Sequence, residues 1–548
     1  MTQVTEHIAA VEHWTCVNQS RSFRVLSLVV LFSALLRYVL ASRNSYWLDE
    51  LYSVEQYVLS QGSVTEAMRS LAESSVHPPL YQFVLYFWVS TFGDGEAVTR
   101  TLSNIYATLA VILFHRMVAK SFGASLANLG AIVFALTYSV MFQGMETRSY
   151  AQTLMLSTAS SLLVLAYMRS RSQERSLKHL SLAWGSILLG AINVGLLLTH
   201  YYNVFFWASQ VVFMVGFTLK REPRGSRVSM LAILALNYLL QLATFIILWG
   251  KEAQATFQRN TGAYEIEGAM TYTFDTVLGS VTSENFRFGP LSSGLVLLAT
   301  SISLFFWIRR RSRHLKQGSL PHDVDATVYL SAMTLLPAIA VNLLFLLLGA
   351  ERFQPKYLIY IVPSITLLLL LAGRAGALQL WRLVLQRTGR SDVDASRFAS
   401  ATLMALALLV VLPGTIDATT HETQDWRGTA ADISAIVGSN PDYQYVVLET
   451  SFRRERMLDY YLRRNDPDLR VTATITRGEE ARNEGFQFER RRDVIEEGDY
   501  LIVPFIHHRV RDFPNSLGRL TEMYSVHHRQ IDSDGKGMII FDLSSPDS

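Results

Sequence analysis

Just beyond the first long apolar run the chain reads Ser45-Tyr46-Trp47-Leu48-Asp49-Glu50-Leu51-Tyr52, which sets two adjacent carboxylates beside aromatic residues at a membrane edge. An ionisable group at such a boundary offsets its desolvation with a partner, a ligand or a proton, so Asp49 and Glu50 are candidate catalytic groups. A solvated loop is the plain alternative. His77-Pro78-Pro79-Leu80-Tyr81 opens a short apolar helix. Proline fixes φ in a first turn that needs no amide donor, so the two prolines would hold His77 at the helix mouth, either against a phosphate or as a simple cap. Glu146-Thr147-Arg148-Ser149-Tyr150-Ala151 starts a later apolar run. Glu146 and Arg148 either pair or snorkel to water, or Arg148 offers its planar fork to a phosphate ester at headgroup depth, with Arg37 near the end of the first run to help. Glu351-Arg352-Phe353-Gln354-Pro355-Lys356-Tyr357 brings two more cations, and His200-Tyr201-Tyr202 reads equally as an aromatic belt or a ligand contact.

Assembled, these residues are carboxylates and cations at the level where lipid headgroups meet water. Such a set suits transfer of a group from a lipid phosphate. The cations would stabilise the charge left on the departing phosphate, and a carboxylate would take the acceptor's proton.

The elements that must position them are membrane helices. Of 548 residues 50% are apolar and 17% charged, too apolar for an ordinary soluble enzyme, and the mean hydropathy is positive. The net charge of +3 arises from arginines crowded into short segments between apolar runs, a poor match to nucleic-acid binding. Cys16 is the only cysteine, which excludes an intrachain disulfide and a thiolate metal cluster. Residues 1 to 20 are polar without a short apolar core and cleavage site, so the first span is expected to be retained.

Windows of roughly twenty apolar residues give about eleven spans. They lie near 24–41, 101–118, 124–142, 149–168, 180–199, 203–219, 228–249, 291–308, 326–349, 357–373 and 398–414. The run from Leu80 to Phe92 is too short and is expected to lie as a juxtamembrane helix in the first outer loop. With it left out, every second loop is basic. Arg21 and Arg24, Arg116 and Lys120, the cluster from Arg169 to Lys178, Lys220 to Arg227, Arg309 to Lys316, and Arg374 to Arg390 all fall on one side, as the positive-inside bias requires. The loops 43–100, 143–148, 200–202, 250–290 and 350–356, and everything after 415, then share the extracytoplasmic face. Asp49, Glu50, His77, Arg100, Glu146, Arg148, His200, Arg352 and Lys356 are thereby expected at one membrane surface.

After Pro413 the composition turns polar, giving a boundary between a membrane domain (1–414) and an extracytoplasmic α/β domain (415–548). Tyr445 to Glu449, Val471 to Ile475, Tyr500 to Phe505 and Met538 to Leu543 read as strands, and Thr429 to Val437 and Arg454 to Arg464 as helices. His507-His508 and His527-His528 read as surface histidines, because neighbours on a strand point to opposite faces.

Trp47-Leu48-Asp49-Glu50, His77-Pro78-Pro79-Leu80-Tyr81, Phe92-Gly93 with Glu96 and Arg100, Glu146-Thr147-Arg148-Ser149-Tyr150-Ala151, His200-Tyr201-Tyr202 and Asp425-Trp426-Arg427 occur in this order. In that order the chain resembles bacterial relatives of protein O-mannosyltransferases, within the GT-C superfamily of glycosyltransferases and the family 39-like branch that includes the lipid A aminoarabinose transferase. The likeness is densest over 45 to 202. It implies an inner-membrane, inverting glycosyltransferase with an extracytoplasmic active site, a polyprenyl-phosphate-linked monosaccharide as donor and a lipid, glycan or protein as acceptor. Asp49 would be the general base, supported by Glu50. His77, Arg148, Arg352 and Lys356 would contact the lipid phosphate, and Arg37, Arg100, Glu146, Tyr150, His200, Tyr201 and Tyr357 would complete the substrate site. Aminoarabinose transferases carry Glu-Lys before the two prolines, where this chain has Val76-His77. A divalent cation, the one cofactor the resemblance brings into question, therefore lacks that glutamate ligand. Two rivals are a transporter or flippase of a lipid-linked sugar and an inactive relative whose tail binds a partner. Alternating access calls for charged or helix-breaking positions deep in the bilayer and for related halves, and neither an internal repeat nor a mid-span carboxylate cluster is seen.

Overall fold

In lipid a backbone satisfies its polar groups within a helix, and the long apolar stretches fold accordingly. The computed structural model describes residues 2–74, 77–172, 179–260, 305, 322–348, 355–386, 392–420, 425–449, 455–466, 471–474, 498–505, 514–531 and 537–546. Among the described residues, eight helices are long and apolar enough to cross a membrane. They lie within α1 (Thr2–Ala41), α5 (Glu96–Phe122), α8 (Tyr150–Ser172), α10 (Asn203–Arg221), α11 (Arg224–Asn260), α12 (His322–Leu348), α13 (Val362–Gln386) together with the 3₁₀ turn that leads into it, and α14 (Asp392–Thr420). Shorter helices are α2 (Leu48–Leu51), α3 (Val64–Ser74), α4 (Leu80–Phe92), α6 (Ala124–Ala135), α7 (Tyr138–Gln143) and α9 (His179–Leu197). The expected span at 291–308 lies outside the described residues apart from Phe305.

Two compact units emerge. One comprises Met1–Ala41 with Gln56–His421, the other Ser42–Glu55 with Glu422–Ser548.

In the first unit α5 packs on α8, α6 and α1, and the stacked rings of Phe114 and Phe134, 4.3 Å apart, lie in its core. The α4 helix has 13 residues, about 20 Å of rise and short of the hydrocarbon thickness. The stretch expected as one span over 124–142 is two helices. Thr137 takes an extended backbone between them and returns its hydroxyl to the Phe134 carbonyl at 2.8 Å, which ends α6.

A connected set of amides and hydroxyls ties the bundle together within the spans. Asn193 donates to Gln210 Oε1 at 2.9 Å and to Gln241 Oε1 at 3.1 Å, and accepts from the Ser160 hydroxyl at 2.7 Å. Gln210 donates to Ser160 Oγ at 2.8 Å and to the Tyr329 hydroxyl at 3.3 Å, and accepts from Tyr238 at 3.2 Å. With no water to compete, each bond replaces a bare polar group in lipid.

The second unit holds a five-stranded sheet of β1 (Tyr445–Glu449), β2 (Val471–Thr474), β3 (Tyr500–Phe505), β4 (Tyr524–Ile531) and β5 (Gly537–Pro546), in the order β2-β1-β3-β5-β4. The β1 strand is parallel to β2 and β3, and β5 antiparallel to β3 and β4. Val446, Leu448, Leu501, Val503, Phe505, Ile539 and Phe541 make one core face. Helices α15 (Trp426–Ser439), α16 (Glu455–Asn465) and α17 (Pro514–Met523) complete it. Strand β4 and α17 have no counterpart in the sequence reading. Much of β4 is exposed, so alternation gave no signal there. His527 and His528 sit on β4 exposed to solvent, and His507-His508 lies outside the described residues.

Candidate functional site

Four chain segments of the first unit converge. Pro79 starts α4, whose first amide, that of Leu80, donates to the Leu198 carbonyl at 2.9 Å; this fixes the loop that carries His77 against the end of α9. The loop before α8 is drawn onto α5 by Thr147, whose hydroxyl meets that of Thr99 at 2.9 Å, and by the Ser103 hydroxyl donating to the Arg148 carbonyl at 3.3 Å. The turn between α9 and α10 is closed by Asn203, which donates to the Leu196 carbonyl at 2.8 Å and to Thr153 at 3.1 Å. A 3₁₀ turn at Pro355–Ile361 supplies Lys356 and Tyr357.

Arg148 donates from Nη2 to His77 Nε2 at 2.9 Å. A guanidinium has no lone pair to offer, so His77 accepts on Nε2 and in its neutral form carries its proton on Nδ1. The rings of His77 and His200 lie 5.1 Å apart. Tyr150, Tyr202 and Tyr357 surround His200 at 5.4, 5.8 and 5.4 Å, with Tyr202 and Tyr357 stacked at 4.8 Å. Lys356 Nζ lies 5.4 Å and Arg148 Cζ 5.9 Å from the centroid of the Tyr150 ring, so one buried aromatic ring borders two cations.

Burial, then the charges of Arg148 and Lys356, lower the His200 pKa from 6.5 to about 3. His77 is held well below the ordinary histidine value by burial, Arg148, His200 and Lys356. Both imidazoles are therefore neutral at physiological pH. The Tyr202 amide donates to His200 Nδ1 at 3.3 Å, which puts the proton of His200 on Nε2. That Nε2 is buried and has no hydrogen-bond partner among the described residues. The cluster thus brings an arginine and a lysine beside a neutral N–H donor that has no partner among the described residues, an arrangement suited to an anionic ligand that also carries uncharged oxygens.

Other expected site residues stand elsewhere. Arg37 is fully buried on α1, donating to Asn104 at 2.8 Å and Thr108 at 2.9 Å, while its Nη1 has no hydrogen-bond partner among the described residues. Gly144 makes room for it: a Cβ there would lie 2.6 Å from Arg37 Cδ. Arg100 donates to the Ala41 carbonyl at 2.6 Å, at the end of α1. Glu146 is buried in the loop of Arg148, whose amide donates to its carbonyl at 2.8 Å. Tyr201 turns away, accepting from Trp249 Nε1 at 2.9 Å in an apolar cluster with Tyr57 and Leu71. Tyr202, next in the chain, takes the place beside His200. Arg352 lies outside the described residues.

Asp49 and Glu50 belong to the second unit. Trp47 precedes α2, and its amide donates to Glu50 Oε2 at 3.2 Å; Glu50 is fully buried. Asp49 is partly exposed, and its carbonyl accepts from the Ser53 hydroxyl at 3.0 Å.

Among the described residues no three His, Cys, Asp or Glu side chains gather into a metal-binding cluster. The His77 environment does not fit a divalent cation, because the Nε2 lone pair is engaged by Arg148 and both Arg148 and Lys356 add positive charge.

No family profile matches the chain, nor does any curated protein. Among solved structures it is similar to ArnT from Cupriavidus metallidurans in the apo state, with a TM-score of 0.53 and 14% identity over 97% of this chain and 98% of that one. ArnT bound to undecaprenyl phosphate gives 0.51 and 14%, over 94% and 97%. The archaeal oligosaccharyltransferase AglB from Archaeoglobus fulgidus, in complex with an inhibitory peptide and a dolichol-phosphate, gives 0.50 and 12%, over 89% of this chain and 69% of that one. Both proteins are GT-C folds, and the match runs through nearly the whole of this chain. This chain has the GT-C fold. The resemblance read from its motifs and the membrane architecture read from its apolar runs agree with that finding. A GT-C chain is a polytopic helical membrane protein, here with a small C-terminal sheet region.

Proposed function

We propose that this GT-C chain is an inverting glycosyltransferase that moves a monosaccharide from a polyprenyl-phosphate-linked donor to a lipid, glycan or protein acceptor at the extracytoplasmic face of a bacterial inner membrane. The observation that carries the reading is the approach of Arg148 and Lys356 to the buried Tyr150 ring, beside two histidines held neutral. A guanidinium and an ammonium beside one ring suit a lipid phosphate, whose oxygens accept charge-assisted hydrogen bonds from either group. The similar ArnT binds undecaprenyl phosphate and the similar AglB a dolichol-phosphate. The rings of Tyr150, His200, Tyr202 and Tyr357 would offer the apolar faces against which a sugar packs, and His200 Nε2–H would donate to an uncharged sugar oxygen or to the phosphate.

In the reaction, the acceptor oxygen attacks the anomeric carbon while the bond from that carbon to the phosphate oxygen breaks. Asp49, from the Trp47-Leu48-Asp49-Glu50 motif, takes the acceptor's proton. The second negative charge that develops on the departing lipid phosphate is stabilised by Arg148 and Lys356. Glu50, whose carboxylate accepts from the Trp47 amide, holds the turn that carries Asp49. The basic loops on the opposite side support the extracytoplasmic placement. A flippase has less support. The network around Gln210 within the bundle is made of uncharged amides and hydroxyls bonded to one another, which suits static helix packing better than a pathway.

The test is to reconstitute the purified protein with undecaprenyl-phosphate-linked mannose, glucose or aminoarabinose and a membrane extract as acceptor source. Release of undecaprenyl phosphate together with sugar transferred to the extract is expected for at least one donor. Transbilayer movement of the donor without bond cleavage would replace the transferase with a flippase. Mass spectrometry of envelope glycans and glycolipids after gene deletion would identify the acceptor.

A further inference from the structure

The second unit contains the Trp47-Leu48-Asp49-Glu50 motif although the motif lies some 380 residues from most of that unit, and the contacts that hold it there are specific. Asp425 caps α15, accepting on Oδ1 from the Gly428 amide at 2.9 Å; a Cβ on Gly428 would push against the Asp425 carboxylate, so glycine leaves room for the cap. The cap aims the first turn of α15. Trp426 is buried there, the Arg427 amide donates to Ser45 Oγ at 3.1 Å, and Arg427 Nη2 donates to the Arg43 carbonyl at 3.0 Å. From α16, the Tyr461 hydroxyl accepts the Tyr46 amide at 2.8 Å, and Tyr460 meets the Tyr46 ring edge-on at 6.1 Å. Farther along, Arg463 pairs with Glu55 at 3.1 Å. Ser45, Tyr46 and Tyr461 are buried, so these bonds are shielded from competing water, whereas the Arg463 pair is partly exposed and adds little.

The segment is therefore gripped at 43–46 and again at 55, on either side of Asp49 and Glu50. Among the described residues, the apolar core of the sheet draws on none of residues 42–55. A hydroxyl spent on a loop amide, and a capped helix start spent on a serine, point to a task in the loop itself. We propose that the C-terminal unit is a positioning device for the carboxylate motif: Tyr461 and Arg427 are positioning residues that fix the backbone from which Asp49 acts. This assigns a role to Asp425-Trp426-Arg427, and it rests on the reading of Asp49 as the base. A general base works only when held in register with the hydroxyl it serves, and a misplacement of about 1 Å from a change remote from the chemistry costs roughly 100-fold in rate.

Tyr461→Phe removes the acceptor of the Tyr46 amide while keeping the ring. It should lower kcat about 10- to 100-fold, leave the Kd for undecaprenyl phosphate and the donor KM within about twofold of the parent, and raise amide hydrogen exchange over 45–50. Ser45→Ala, too small a change to unfold the unit, should act in the same direction. The assay uses whichever undecaprenyl-phosphate-linked sugar the full-length protein turns over. A kcat near that of the parent in both variants overturns the proposal. So does a loss of kcat matched by an equal loss of undecaprenyl phosphate binding, which would mark general damage. Asp49→Asn run alongside separates the two readings. Full activity there removes the base and with it the purpose of the grip, whereas an inactive Asp49→Asn beside an unimpaired Tyr461→Phe overturns the grip alone.

Discussion

Arg148 donates to the Nε2 of His77 across 2.9 Å, so a neutral ring orients the guanidinium. His77→Ala should let the fork swing and weaken undecaprenyl phosphate binding, while His77→Gln, whose carbonyl can accept the same bond, should recover most of it. Arg148→Ala should raise the Kd about 10- to 100-fold, the value of a buried charge-assisted bond. Arg148→Lys should not rescue it, since an ammonium cannot serve His77 and a phosphate in one plane. Titration of undecaprenyl phosphate by intrinsic fluorescence reads all four variants, and affinity unchanged in Arg148→Ala would remove the residue from the site.

Lys356 borders the same Tyr150 ring from the 3₁₀ turn, and it too should act on the lipid phosphate. Lys356→Met keeps most of the aliphatic stem and removes the charge. Its Kd for undecaprenyl phosphate should rise about tenfold at low salt, with a smaller salt dependence than in the parent. An identical salt dependence would show that the ammonium does not meet the anion.

His200 is neutral because burial and two cations oppose its protonation, holding its pKa near 3 against 6.5 for a free ring. Below about pH 6.5 the unfolded chain takes up a proton that the folded protein refuses, so this ring's contribution to stability is full above that pH and is lost as pH falls toward 3. At pH 5 the loss amounts to about 2 kcal/mol. The thermal midpoint should drop between pH 7 and pH 5, and His200→Gln should flatten that drop. Parallel pH dependences would show that the ring is already charged. The same Gln keeps an N–H donor and should retain more donor binding than His200→Phe.

Asp49→Asn should abolish transfer, lowering turnover by at least about 100-fold, the range of a lost general base. Binding of undecaprenyl phosphate should stay within twofold, because the phosphate contacts proposed above lie on other residues. Single-turnover assays with a labelled donor decide it.

Much of this architecture is legible in the residue order. The mostly apolar stretch of thirteen residues after Pro79 forms α4 with the expected bounds, because prolines and Gly93 punctuate it. Buried strands such as Tyr500–Phe505 announce themselves as β-branched and aromatic runs. The site is legible only in part. Arg148 and His77 carry motif signals, but nothing local says that Tyr202 rather than Tyr201 faces His200; the tightness of the turn before α10 decides it. The membership of residues 42–55 in the second unit is likewise invisible, since it depends on bonds between residues hundreds of positions apart. The break at Thr137 was hidden because apolar content continues through it while backbone geometry does not.

Gln210 joins Asn193, Ser160, Tyr329 and Tyr238 inside the bundle. Gln210→Leu is apolar and similar in size, yet it takes one hydrogen-bond partner from each of four polar groups inside the bundle. It should destabilise the bundle by about 1–2 kcal/mol in a detergent unfolding assay, near the upper range for such bonds. Midpoints equal to the parent would show that these groups find new partners.

The Tyr46 amide meets the Tyr461 hydroxyl 415 residues later, and Ser45 meets Arg427 after 382. At the usual pace of synthesis, about 5–20 residues per second, the carboxylate turn emerges tens of seconds before its partners do. During that interval the growing chain is a membrane bundle with its reactive loop untethered. Under the proposed role of that turn, competence arrives late, as the C-terminal unit takes hold of a segment translated near the beginning. A premature stop between Thr420 and Tyr461 would keep every described span while removing the proposed grip on the Asp49 turn.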